Sequence, residues 1–66
     1  EKMNLNKKKL ELAMARAELG RDEVAEKAGM PIGTLRNALA KNICKPATAG
    51  KIARALGCDV TEILED

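Results

Sequence analysis

Apolar residues along the chain recur at helical spacing in short blocks, and each block is closed by a turn residue. Leu10, Ala13, Met14 and Ala17 repeat at i, i+3, i+4 and i+7, the stripe of a helix over Lys7–Glu18 with Asn6 as its N-cap. Leu19-Gly20 ends that block. A second helix starts at Arg21, with Asp22 and Glu23 in its first turn, where carboxylates favour the positive end of the helix dipole. Val24, Ala25 and Ala28 form its inner face, and Gly29 is the expected left-handed stop. Met30-Pro31 opens a third helix, in which Pro31 stands at or near the first position. Leu35, Ala38 and Leu39 face inward there, leaving Ile32, Gly33, Arg36 and Asn37 to point outward. Lys41–Lys45 reads as a loop. Pro46 starts a fourth helix, roughly Ala47–Leu56, that buries Ala49, Ile52, Ala55 and Leu56 before Gly57 closes it. Asp59-x-x-Glu62 has the form of a capping box for a last short helix, with Val60, Ile63 and Leu64 inward. No strand pattern stands out. The expectation is an all-α fold of five short helices, with no repeat and no linker.

Sixty-six residues make one domain, 1–66, with a single small core. Glu1 and Lys2 precede Met3 and are expected to be an addition ahead of the natural start. The chain has no Phe, Tyr or Trp, and no His, Ser or Gln. Acyl-transfer triads and imidazole acid–base pairs are therefore unavailable, as are aromatic platforms for stacking single-stranded bases. An enzyme is not expected. Cys44 and Cys58 lack the further ligands that a zinc site needs, and no cofactor or small-molecule ligand is evident. Both thiols are expected to stay reduced, Cys44 in the loop being the more accessible. No apolar run approaches a membrane span and no signal-peptide core appears, so a soluble cytoplasmic protein is expected.

The net charge of +2 averages two opposite regions. Lys27, Arg36, Lys41, Lys45, Lys51 and Arg54 populate the stretch up to Cys58 without one acid, whereas Asp59, Glu62, Glu65 and Asp66 close the chain without a base. Such asymmetry suits a polyanionic partner held at the middle of the chain; a solvated basic face is the alternative.

The unit Arg21–Ala40, a short helix, a glycine turn and a second short helix, has the proportions of a helix-turn-helix. EVAEKAGM followed by GTLRNAL, then KP, then IARALG-CDVTEIL, stand in an order and spacing that resembles the DNA-binding domain of the lambdoid phage repressor and Cro family, the XRE-type regulators. The resemblance runs from about Lys7 to Leu64. It implies a compact five-helix domain that binds double-stranded DNA with its third helix in the major groove. It places base reading at Ile32, Gly33, Arg36 and Asn37, and phosphate contact at Arg21, Lys41, Asn42 and Lys45. A homodimer on a palindromic site is the usual assembly of such domains, with a dimer surface around the end of the third helix, Ile43 and the last helix.

The chain also departs from the family pattern. Ile32 and Gly33 cannot hydrogen-bond a base edge through a side chain, although Ile32 can meet a thymine methyl. Ala40 stands where a phosphate-binding Asn is frequent. Met14 and Leu39 occupy positions where many relatives pair a buried Arg with a Glu. Both have become apolar together, so they are expected to touch and to be largely buried, with Met14→Arg costing several kcal/mol. A protein-interaction or antitoxin-like module on the same fold is the alternative function.

Overall fold

The computed structural model describes residues 1–66. Four α-helices form where local signals start and stop them: α1 (Lys7–Ala17), α2 (Arg21–Ala28), α3 (Ile32–Lys41) and α4 (Pro46–Leu56). The Asn6 side chain accepts the Lys9 N–H at 2.9 Å, satisfying a donor that the first turn of α1 leaves free. Gly20 precedes α2, and its N–H donates to Glu23 Oε1 at 2.8 Å. Pro31 caps α3 from just outside, whereas Pro46 is the first residue of α4, where a missing N–H costs nothing. Between α2 and α3 lie only Gly29, Met30 and Pro31.

The core is aliphatic throughout. Leu5, Val24, Leu35, Ile52 and Ile63 are its largest fully buried side chains, and no polar or charged residue is buried. The small residues Ala25, Ala28, Ala49 and Ala53 let α2 and α4 approach closely while filling the space between them. On α4 the buried set is Ala49, Ile52, Ala53 and Leu56, so Ala53 takes the place expected for Ala55, which is only half-buried.

Two expectations about architecture need correction. First, strands are present. Met3–Asn4 (β1) pairs antiparallel with Ile43–Cys44 (β2), Met3 opposite Cys44 and Asn4 opposite Ile43. The Leu5 N–H donates to the Asn42 carbonyl at 2.8 Å, the Asn6 N–H to Ile63 at 2.9 Å, and the Glu65 N–H to Asn4 at 3.0 Å. The N-terminal segment thus lies between β2 and the chain's end, which explains why Leu5 is only 1% exposed. Lys41–Lys45 is not a simple loop either: Lys41 ends α3, Asn42 turns the chain in the left-handed region (φ 56°), and β2 follows.

Second, the fifth helix is a single 3₁₀ turn, Val60–Glu62. Its capping box forms as the spacing predicts, with the Asp59 side chain accepting from the Thr61 N–H at 3.1 Å and the Glu62 side chain accepting from the Asp59 N–H at 3.4 Å. The turn then stops, because Ile63 is drawn into the core and Leu64 bridges to Leu5. No helix is long and apolar enough to cross a membrane.

Candidate nucleic-acid interface

The orientation of α3 follows from which of its residues are buried. Leu35 (1% exposed) and Ala38 (7%) fix its inner face, so Gly33, Arg36 and Asn37 lie exposed on the opposite side. Ile32 was expected to join them, but it is half-buried and packs against the core. At the first position of α3, just beyond the tight Gly29–Pro31 turn, its Cβ is still close to the body of the protein. Only part of the side chain is available to a ligand.

The phosphate candidates flank this surface at element ends. Arg21 is the first residue of α2, Lys41 the last of α3, and Lys45 directly precedes α4; all three are exposed. Asn42, between them, is half-buried and gives its backbone carbonyl to Leu5.

The structure sorts these residues into two depressions on either side of α3. Arg21, Arg36 and Asn42 line a groove of about 520 Å³, together with Leu10, Met14 and Leu39. Asn37, Lys41 and Lys45 share a shallower one of about 300 Å³ with Lys2, Thr34 and Thr48. Ile32 and Gly33 line neither. Lys2 and Thr48 were not singled out by sequence reasoning. Only the fold, which carries the N-terminal strand and the start of α4 past the end of α3, brings them there.

Ion pairing involves none of the mid-chain cations. The two salt bridges are Lys9–Asp66 at 2.8 Å and Arg16–Glu62 at 3.2 Å, and both tie α1 to the acidic C-terminus. Lys9 also donates to the Leu64 carbonyl at 3.3 Å. Asp66 is held below the usual carboxylate range by its hydrogen bond and charge contact with Lys9. Glu62 and Asp66 are thereby engaged against α1. Arg21, Arg36, Lys41 and Lys45 have no carboxylate within 4.0 Å; the nearest acids in the fold are Asp22 and Glu23 beside Arg21 on α2, and Glu11, which lines the same groove as Arg21 and Arg36.

Two further expectations change with the geometry. Met14 and Leu39 are half-buried rather than largely buried, because the groove between α1 and α3 opens over them. The order of the thiols is reversed: Cys44 is buried on β2, opposite Met3, and Cys58 is the partly exposed one. Burial pushes the Cys44 thiol above its ordinary pKa, against the opposing charge of Lys2. Cys58 is raised as well, by burial first and then by the nearby Glu62 carboxylate. Both cysteines are free.

No family model matches the chain, and neither does any curated protein. Among solved structures it is similar to two of PhpD. One is described as PhpD with cadmium complexed with hydroethylphosphonate, with 28% identity, a TM-score of 0.78 and 97% of this chain covered. The other, native PhpD with cadmium atoms, matches at 28% identity, a TM-score of 0.79 and the same 97%. The chain spans only 14% of the length of either PhpD chain. In this chain no three His, Cys, Asp or Glu side chains converge as a metal-binding group would require.

Proposed function

We propose that this chain is a sequence-specific double-stranded DNA-binding domain of the lambdoid repressor and Cro kind, acting in transcription regulation. In this reading α2 and α3 form the helix-turn-helix, and α3, ~15 Å long at 1.5 Å per residue, enters the major groove. The observation that carries it is the exposed Arg36 and Asn37 on α3, flanked by Arg21, Lys41 and Lys45 with no acid paired to any of them. Arg36 suits guanine O6 and N7, and Asn37 suits adenine N6 and N7. Arg21, Lys41, Asn42 and Lys45 hold register on phosphates. Ile32 and Gly33 contribute only close approach and partial methyl contact. One module of this size buries ~600–1,000 Å² on DNA, so tight binding calls for two copies on a palindromic site.

Selection of bound duplexes from a random pool, followed by salt titration, tests the reading. Lys45→Ala should weaken binding to all sequences alike and lower the salt slope by about one unit. Asn37→Ala should instead narrow the gap between selected and random DNA by ~1–3 kcal/mol, with nonspecific binding kept. An unchanged specificity ratio in Asn37→Ala means that α3 does not read bases.

A second reading, a protein-interaction module, is favoured by one specific observation. On the surface assigned to DNA, Gly33 and Ala40 are exposed without a hydrogen-bonding side chain, and the apolar Ile32 is half-exposed beside them. Such a module would dock through apolar contacts that barely respond to salt, whereas phosphate binding falls steeply with it.

A further inference from the structure

The groove between α1 and α3 has properties that DNA binding does not use. Its volume of about 520 Å³ falls within the ~300–1,000 Å³ typical of small-molecule sites. Leu10, Met14 and Leu39 give it an aliphatic interior, and Met14 and Leu39 remain half-exposed within it. Around that interior stand Lys7, Arg21 and Arg36, against one acid, Glu11. None of these four charged groups makes a salt bridge.

An apolar interior beneath a net positive rim is complementary to one chemical class. We propose that this groove binds an amphipathic organic anion, a free medium-chain carboxylate with its headgroup at Arg21 and Arg36 and its tail along Leu10, Met14 and Leu39. A guanidinium fork donates paired hydrogen bonds to a carboxylate, a fit that a single ammonium does not match. An unbranched thioether such as Met14 adapts to a flexible tail. Arg21 and Arg36 also belong to the proposed DNA surface, so the anion and DNA compete for them; this regulatory consequence rests on the DNA-binding reading, whereas the site itself does not.

The test uses decanoate below its micelle-forming concentration, with the full chain, followed by NMR of methyl groups. Decanoate should shift the Met14 Cε and Leu39 Cδ methyls. It should bind about tenfold tighter or more than decyltrimethylammonium, which has the same tail with opposite charge, and than acetate, which has the head alone. Leu39→Asp should weaken decanoate binding by a similar factor. Arg36→Gln, at an exposed position that leaves the core untouched, should weaken it severalfold and flatten its salt dependence. Equal binding of the cationic and anionic amphiphiles, or shifts confined to other faces such as the exposed Leu12, would overturn the proposal. In a separate arm, decanoate should release selected DNA from the wild-type chain and not from Leu39→Asp. Decanoate binding without any DNA binding keeps the site and ends the DNA reading. DNA binding with silent groove methyls does the reverse.

Discussion

Replacing Glu18 by glycine should stabilise this domain, because α1 ends in a conformation that its own sequence disfavours. At the end of α1 the Glu18 N–H donates to Ala15 and the Leu19 N–H to Met14, both at 3.1 Å. The same pair of bonds closes α2, from Gly29 to Glu26 and Met30 to Ala25, and α4, from Gly57 to Arg54 and Cys58 to Ala53. This is a Schellman closure, which needs its pivot residue in the left-handed region. The pivots have φ of 71° at Gly29 and 70° at Gly57, but the α1 pivot is Glu18, at φ 58°. A side chain there costs ~1–2 kcal/mol. The carboxylate also sits at the negative end of the helix dipole, a penalty of ~0.3–1 kcal/mol at an exposed site. Against these, glycine raises the entropy of the unfolded chain by ~0.4–1 kcal/mol. The Glu18 side chain is exposed and makes neither a hydrogen bond nor an ion pair, so no contact is lost. The balance is a gain of about 1 kcal/mol, or ~4–8 °C in Tm for a domain this small. Urea and thermal denaturation measure it directly. Glu18→Gln isolates the charge contribution and should recover only a few tenths of a kcal/mol. Gly57→Ala runs the comparison backwards. With nothing within 4 Å of the added Cβ, its loss of ~1 kcal/mol would be purely conformational. A Glu18→Gly variant no more stable than wild type refutes the argument.

Cys58 should react before Cys44 with a maleimide, slowly at neutral pH because both thiols lie above their usual pKa, and Cys44 should label only as the domain unfolds; peptide mass mapping reads the order. Met14→Arg should cost ~1–2 kcal/mol, since the groove lets the guanidinium reach water, and a loss in the ~3–5 kcal/mol range of an unpaired buried charge would show that the groove is closed in solution. Hydrogen bonds from the Thr61 hydroxyl and N–H hold the Asp59 carboxyl below its ordinary pKa. Its stabilising effect is therefore complete above the unfolded value of ~3.9 and lost as pH falls through the lower folded value. Carbon-13 NMR titration should show that midpoint rising towards the ordinary value in Thr61→Ala.

What could be read in the sequence was what short-range chemistry decides. Asn6, Gly29, Pro46 and Gly57 act through backbone groups within a turn of themselves, so the helix ends fall close to where those residues predict. The strands were illegible for the opposite reason. Two-residue segments carry no alternation, and β1 and β2 exist because Asn42 reverses the chain and lays it against a segment about forty residues earlier. The thiol order went with them, since pairing with Met3 turns Cys44 inward and leaves Ile43 half-exposed. The last helix failed at the same place: its capping box is local and forms, but Leu64 is claimed by Leu5 before a second turn can.

The same division runs through the candidate interface. Helical period alone puts Arg36 and Asn37 on the outer face of α3, yet it does not say that they look into different grooves, because that depends on where α1 and the N-terminal strand lie. Charge segregation along the chain was legible as composition; its consequence was not. Lys9 and Arg16 draw the acidic C-terminus onto α1, and each acid engaged there is unavailable to neutralise Arg21, Arg36, Lys41 or Lys45. The ion pairs are exposed and contribute little stability themselves. Their larger effect is on placement: Glu62 and Asp66 are held against α1, where neither pairs with Arg21, Arg36, Lys41 or Lys45.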